Sequence, residues 1–118
     1  MEGYKGLKVY EKSYKLALNV YEITKLLPNE ERYGLISQMK RASSSVPINI
    51  AEGYGRKQNV MDYRQFLIIA QGSANEMQVL LDFCKDLKYI STDKHQELYN
   101  GYTEILKMLH GLIKACSK

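Results

Sequence analysis

The residues whose type and spacing suggest a chemistry are cationic. Near the start of the chain, lysines recur at intervals of three, four and three residues, which places them on one face of a helix. These lysines are Lys5, Lys8, Lys12 and Lys15, and further cations follow at Lys40, Arg41, Arg56 and Lys57. Such a row can contact successive phosphates and predicts salt-sensitive nucleic-acid binding with little sequence preference. The alternative is an ordinary solvated helix face, because exposed lysine rows are common.

A second group is polar and recurs along one face of the next segment. Its members fall within about 80° of one another on a helical wheel, and two more polar residues lie one turn apart further along the chain. This polar seam consists of Gln38, Arg41, Ser45, Asn49, Glu52, Ser73 and Glu76. It indicates either an interhelical hydrogen-bond network that fixes helix register or a binding surface. We favour the network because no catalytic spacing is present.

The remaining reactive residues do not form a catalytic or metal-binding set. His95 and His110 would lie about 22 Å apart on one helix, and neither follows a glutamate by three residues, so both are predicted to be surface or boundary histidines. Cys84 and Cys116 lie on apolar stripes and are predicted to be buried thiols about 30 Å apart. No phosphate-binding loop and no nucleophile with its base is recognisable. We therefore expect no enzyme activity, no metal and no cofactor.

Four long segments with helical periodicity position these groups. They cover about residues 7–27, 30–56, 59–88 and 92–116. Short connections predict an all-α, antiparallel up-down-up-down four-helix bundle forming a single domain over residues 1–118. Pro47 predicts a kink or a break in the second helix. Asn29 is the expected N-cap of that helix, Gly53 and Gly55 are its expected stop residues, and Ser91 or Thr92 is expected to cap the fourth helix.

Tyrosines add a second stripe to the first helix, beside its aliphatic one. Tyr10, Tyr14 and Tyr21 have helical spacing, and aromatic side chains with a polar tip suit subunit interfaces. The stripe therefore predicts a homo-oligomer interface. The alternative, equally open from the sequence, is a wide apolar sector that faces two neighbouring helices of the same chain.

Charge and hydropathy exclude several classes of protein. The chain has 118 residues and a net charge of +4. Residues 1–60 carry ten Lys or Arg against six Asp or Glu, whereas residues 61–118 carry seven of each, so the basic excess lies in the first half. No apolar run approaches the roughly 20 residues that span a bilayer, and the N-terminal residues lack the apolar core of an export signal. We expect a cytoplasmic protein with no membrane contact.

Two runs of residues resemble a known family over nearly the whole chain. The first run comprises Tyr33, Gly34, Leu35, Gln38, Arg41, Ala42, Ser45, Val46, Pro47, Asn49, Ile50, Ala51, Glu52 and Gly53. The second comprises Phe66, Leu67, Ala70, Gly72, Ser73 and Glu76. Together they resemble the signature of the four-helix-bundle proteins encoded in intervening sequences of bacterial 23S ribosomal RNA genes.

The resemblance implies one helix that continues, kinked, through Pro47, and a homopentameric ring. The ring is a property of the related accessory variability protein of diversity-generating retroelements, which is similarly basic, binds nucleic acid and associates with a reverse transcriptase. The function expected is therefore non-enzymatic, oligomeric binding of nucleic acid, with structured RNA favoured. The residues expected to bind it are Lys5, Lys8, Lys12, Lys15, Arg41, Arg56 and Lys57. The alternative is a protein-interaction scaffold or adaptor ring, for example for a reverse transcriptase, without a direct nucleic-acid role.

Overall fold

Four α-helices follow one another along the chain. In a computed structural model that describes residues 3–116, the helices are α1 (Lys8–Thr24), α2 (Leu35–Tyr54), α3 (Val60–Asp86) and α4 (Thr92–Ala115). Short 3-10 helices lie at Gly3–Gly6 and Asn29–Glu31, and residues 3–116 contain no strand. The all-α, four-helix prediction is confirmed.

The core lies between all four helices, because each contributes one apolar stripe to it. The largest fully buried side chains include Met39 and Ile50 of α2, Leu67 of α3, and Tyr102 and Leu109 of α4. Contacts join α1 to α2, α2 to α3, α3 to α4 and α4 back to α1, so each helix packs against two neighbours. Within residues 3–116, none of the helices is long and apolar enough to cross a membrane.

Contacting residues advance in opposite directions along neighbouring helices. Arg41 of α2 pairs with Glu76 of α3, and the later Gly53 of α2 packs against the earlier Phe66 of α3. The same reversal relates α1 to α4 and α3 to α4; their contacting pairs are Lys12 with Glu104, Leu16 with Gly101, Gln78 with Thr103, and Asp82 with His95. This pattern favours the up-down-up-down order.

The start of α2 differs from the sequence prediction. Asn29 lies in its own 3-10 helix instead of capping α2, which begins at Leu35 after a non-helical Gly34. The side chain that supports this helix end is Glu31, whose Oε1 accepts a hydrogen bond from the Leu35 amide at 3.2 Å. The Tyr89 hydroxyl donates to Glu31 Oε2 at 2.9 Å, so Glu31 also joins the α1–α2 connection to the α3–α4 connection.

The two glycines near the end of α2 do not act as the predicted stop signal. Gly53 lies inside α2 and is buried, and a Cβ at this position would lie 2.8 Å from Phe66 Cβ. Gly55 follows the helix with a φ of −63°, so the left-handed conformation expected of a stop glycine is not used. α3 and α4 begin with side-chain caps: Asn59 accepts from the Asp62 amide, and Ser91 accepts from the Lys94 amide as predicted.

Pro47 lies in the middle of α2 and is buried. The helix continues through it over Leu35–Tyr54, as the resemblance implies, so the alternative of a break is wrong. The hydroxyls of Ser43 and Ser44 donate to the Lys40 carbonyl one turn earlier. The kink at Pro47 stays a prediction.

Candidate nucleic-acid interface

The lysines of α1 lie on an exposed face directed toward α4. Lys12 Nζ is 3.4 Å from Glu104 Oε2 of α4, and Lys15 Nζ is 3.5 Å from Glu11 Oε2 on the same helix. These ion pairs are solvent-exposed, and such pairs contribute about 0–1 kcal/mol each. An incoming phosphate can therefore replace either carboxylate at little cost. Lys5 precedes α1, in the 3-10 helix.

Lys8 extends this face to the end of the bundle. It borders a surface depression of about 400 Å³ together with Lys107 of α4. Neither lysine forms an ion pair with another residue in the range 3–116. We use the name basic edge for Lys5, Lys8, Lys12, Lys15 and Lys107. Lys107 is an addition that the sequence analysis missed; it becomes visible once α4 is aligned antiparallel to α1.

The cations at the α2–α3 edge are engaged differently. Arg41 of α2 contacts α3. Arg56 and Lys57 follow α2 in its connection to α3 and lie over aromatic rings of α3 and α2, respectively. Their partners are Glu76 for Arg41, Glu52 and the Phe66 ring for Arg56, and Tyr54 for Lys57. The α1–α4 and α2–α3 edges lie on opposite sides of a bundle in which each helix packs against two neighbours. One copy of the chain therefore does not join the two groups of cations into one surface.

The polar seam contains a network of two groups of hydrogen bonds between α2 and α3. Arg41 Nη2 donates to Glu76 Oε2 at 2.9 Å, and the hydroxyls of Ser45 and Ser73 are 2.8 Å apart. Asn49 Nδ2 donates to both the carbonyl and the hydroxyl of Ser45, at 2.8 and 2.9 Å. This network links the two helices at fixed register and favours the structural interpretation.

Two members of the predicted seam lie outside the network. Gln38 is exposed and forms no hydrogen bond through its side chain with any residue of the part that the structure describes. Glu52 pairs with Arg56, which follows α2, at 3.6 Å, and also borders the groove between α1 and α2.

The tyrosine stripe lines an open apolar groove of about 460 Å³ between α1 and α2. We call this feature the tyrosine groove; the residues that define it are Tyr10, Tyr14, Leu18, Tyr21, Pro47 and Ile48. The rings of Tyr10 and Tyr14 stack with centroids 6.0 Å apart, and burial raises the pKa of Tyr10. Lys40 Nζ lies 5.3 Å from the Tyr21 ring centre. Tyr14 and Tyr21 are 48% and 40% exposed in the groove, whereas Tyr10 is half-buried and packs against the edge of the core.

The histidines and cysteines give no catalytic arrangement. His95 is buried, with Nε2 2.7 Å from Asp82 Oδ1 of α3, so its predicted surface position is wrong; His110 is exposed as expected. Cys84 and Cys116 are buried free thiols as predicted, and burial raises the pKa of Cys84 to about 11. Among residues 3–116, no three His, Cys, Asp or Glu side chains lie close enough together to hold a metal ion.

Fold and surface together define a class: a small helical bundle with an exposed basic edge, an open apolar groove and an interhelical polar network. The chain belongs to the family of 23S rRNA-intervening sequence proteins, whose family model matches residues 5–111. The family resemblance found in the sequence is thereby confirmed.

A solved structure supports the same assignment. The chain is similar to a protein of unknown function from the S23 ribosomal protein family of Bacteroides thetaiotaomicron VPI-5482, with 31% identity and a TM-score of 0.81. The similarity covers 90% of this chain and 95% of that one. No curated protein matches this sequence.

Proposed function

We propose that this chain is a non-enzymatic cytoplasmic protein that self-associates and binds nucleic acid, preferentially structured RNA, through its basic edge. The main support for this proposal is that Lys8 and Lys107 border the same surface depression and that neither lysine pairs with a carboxylate among residues 3–116. Like charges that face a common space repel each other, and a bound phosphate removes that repulsion.

The other lysines of the basic edge fit the same role. Lys12 and Lys15 are held only by exposed ion pairs, which salt screens and phosphates can replace. Nothing in this edge reads base sequence, so we expect recognition of backbone and shape. The names of the family and of its solved relative refer to ribosomal RNA and to ribosomal proteins, which makes RNA the first nucleic acid to test.

Self-association gives the cations at the α2–α3 edge a place in this proposal. Arg41, Arg56 and Lys57 lie away from the basic edge of their own copy. In a homo-oligomer, for which the resemblance implies five copies, a neighbouring copy can bring these three cations toward that edge. Repetition of weak contacts around the assembly raises the overall affinity without any new contact.

Fluorescence anisotropy of a labelled structured RNA tests the proposal. Lys8→Glu with Lys107→Glu should weaken binding by at least about 100-fold, because two attractive charges become repulsive. The matched control, Lys25→Glu with Lys88→Glu, makes the same change in net charge at exposed sites at the other end of the bundle, after α1 and after α3, and should retain most of the affinity. Equal losses in both variants would show that only net charge matters and would contradict the assigned site.

The second candidate function is a protein-interaction scaffold, for which the tyrosine groove is the specific observation. An exposed apolar groove of this kind suits a protein partner. The resemblance to the accessory variability protein makes a reverse transcriptase the partner to test first. An intact oligomer that fails to bind RNA at low salt, yet forms a complex with a purified reverse transcriptase encoded by the same genome, would favour this second function.

A further inference from the structure

α3 carries an exposed apolar row in addition to its buried stripe. Four large apolar side chains of this row are 43–65% exposed. We call this row, together with the glycine at its centre, the α3 ridge. It consists of Met61, Ile69, Gly72, Val79 and Phe83. The spacings of eight, three, seven and four residues keep the row on one side of the helix, which Gln65 and Glu76 share. No element within residues 3–116 covers these side chains.

Gly72 is unusual for a residue in the middle of a helix. A Cβ added there would have no heavy atom within 4 Å, so nothing in its own copy of the chain requires a glycine at this site. Gly53 is the opposite case, because Phe66 and Tyr63 leave no room for a Cβ. Glycine lowers helix stability, but it permits close approach of another backbone. The α3 ridge is therefore lowest at Gly72, which lies between Ile69 and Val79 in the row.

The ridge has a counterpart of similar size on the same chain. In the tyrosine groove, Tyr14, Leu18, Tyr21 and Ile48 are 40–59% exposed. With about 200 Å² for a large side chain, ridge and groove each expose roughly 400 Å² of apolar surface. A standard interface covers about 800 Å² per partner and is somewhat more than half apolar. Each surface thus matches the apolar part of one side of a stable interface.

We propose that the α3 ridge of one copy docks in the tyrosine groove of the next copy. The groove is concave and lies on α1 and α2, the ridge is a single helix face, and no residue is shared between them. The polar network between α2 and α3 lies beside the ridge, because Glu76 follows Gly72 by one turn. A contact between two different surfaces of the same chain is heterologous, and it closes into a ring when the rotation between copies permits.

A second copy accounts for both surfaces at once. A two-fold contact of groove with groove would leave the ridge exposed, and a contact of ridge with ridge would leave the groove exposed. A head-to-tail arrangement covers both surfaces with a single type of contact, because the groove of each copy meets the ridge of the next. This inference rests on the self-association in the proposed function and identifies its two surfaces.

A complementation experiment tests the arrangement. Leu18→Glu damages the groove and Phe83→Glu damages the ridge, and both positions are about half exposed, so the fold should tolerate them. Sedimentation velocity should show each variant alone as a monomer, with self-association weakened by at least about 100-fold. Mixed in equal amounts, they should form a one-to-one dimer, because one intact ridge and one intact groove remain. Val79→Glu is the second ridge variant if Phe83→Glu fails to fold, as judged by circular dichroism.

Glycine substitutions supply a matched pair for the same measurement. Gly72→Ala should weaken self-association about tenfold by preventing close approach. Gly111→Ala, on α4, likewise introduces a Cβ with nothing within 4 Å and should leave self-association unchanged.

Three results would overturn the proposal: self-association that persists in either single variant, monomers that do not combine on mixing, or equal effects of the two alanines. A wild-type protein that is itself monomeric would overturn it together with the self-association in the proposed function. RNA binding by the basic edge is measured separately, by anisotropy, so its failure is distinguishable from the failure of the interface.

Discussion

Gly53→Ala is a sharp test of the packing between α2 and α3. An alanine in a helix interior is about 1 kcal/mol more favourable than a glycine when there is room for its Cβ. At Gly53 there is none, because the new Cβ would lie 2.8 Å from Phe66 Cβ, 3.1 Å from Tyr63 Cδ1 and 3.3 Å from the Tyr63 carbonyl oxygen. Two of these atoms are backbone or attached directly to it, so α3 itself must move.

The magnitude follows from these two opposing effects. Overpacking of a core costs typically about 1–3 kcal/mol, and a clash with an atom so close to the backbone should cost about 2 kcal/mol. After subtraction of the gain in helix propensity, Gly53→Ala should lower the free energy of unfolding by about 1 kcal/mol. Gly72→Ala, with open space around the new Cβ, should raise it by about 1 kcal/mol.

Urea unfolding followed by circular dichroism measures this difference. Both alanines should be placed in a Leu18→Glu background, so that self-association does not contribute to the apparent stability. The two variants should then differ by about 2 kcal/mol in free energy of unfolding, and by about 8 °C in melting temperature. A Gly53→Ala protein as stable as the Gly72→Ala protein would refute the close packing of α2 on α3.

Two further predictions concern stability. Glu31→Ala removes the acceptor of both the Leu35 amide and the Tyr89 hydroxyl, so it should lower the free energy of unfolding by about 1–2 kcal/mol, measured by thermal unfolding. Tyr89→Phe removes only the second bond and should cost less. Equal losses in the two variants would contradict the capping role of Glu31. Cys84, with its pKa raised from 9.0 to about 11, stays protonated in the folded protein where the unfolded chain ionises. The free energy of unfolding should therefore be unaffected by this thiol below pH 9 and fall by up to about 1.4 kcal/mol per unit between pH 9 and 11; under reducing conditions, a Cys84→Ala protein with the same slope would contradict the burial of the thiol.

Features that depend on local periodicity could be predicted from the sequence. The number of helices, their apolar stripes and the Ser91 cap follow from residues within one or two turns of each other, and the structure has them as expected. The predicted end of the first helix, near residue 27, lies beyond its actual end at Thr24, because helix ends depend on weak local signals.

Features that depend on contacts between distant segments could not be predicted. Glu31 caps α2 with the help of Tyr89, which is 58 positions away in the chain. His95 is buried because Asp82 of another helix pairs with it. Lys107 joins the basic edge only through the antiparallel packing of α4 on α1.

Gly53 and Gly72 also show that contacts between distant segments could not be predicted from the sequence. Each lies inside a helix, and the neighbouring residues in the sequence do not distinguish the two. Gly53 is nevertheless closely packed, whereas Gly72 faces open space. The sequence predicted a stop residue at Gly53, which the structure places inside α2. What each glycine permits depends on the helix that faces it, and that helix comes from another part of the chain or from another copy.

The salt dependence of RNA binding tests the central claim most directly. The equilibrium constant should be measured by anisotropy at several salt concentrations, with light scattering on the same sample to follow oligomer size. In a plot of the logarithm of the RNA association constant against the logarithm of salt concentration, the five lysines of the basic edge predict a slope of about −4 per engaged copy. Lys8→Glu with Lys107→Glu should reduce the magnitude of this slope by about 2. An unchanged slope in that variant, or no binding at low salt by an intact oligomer, would contradict the account.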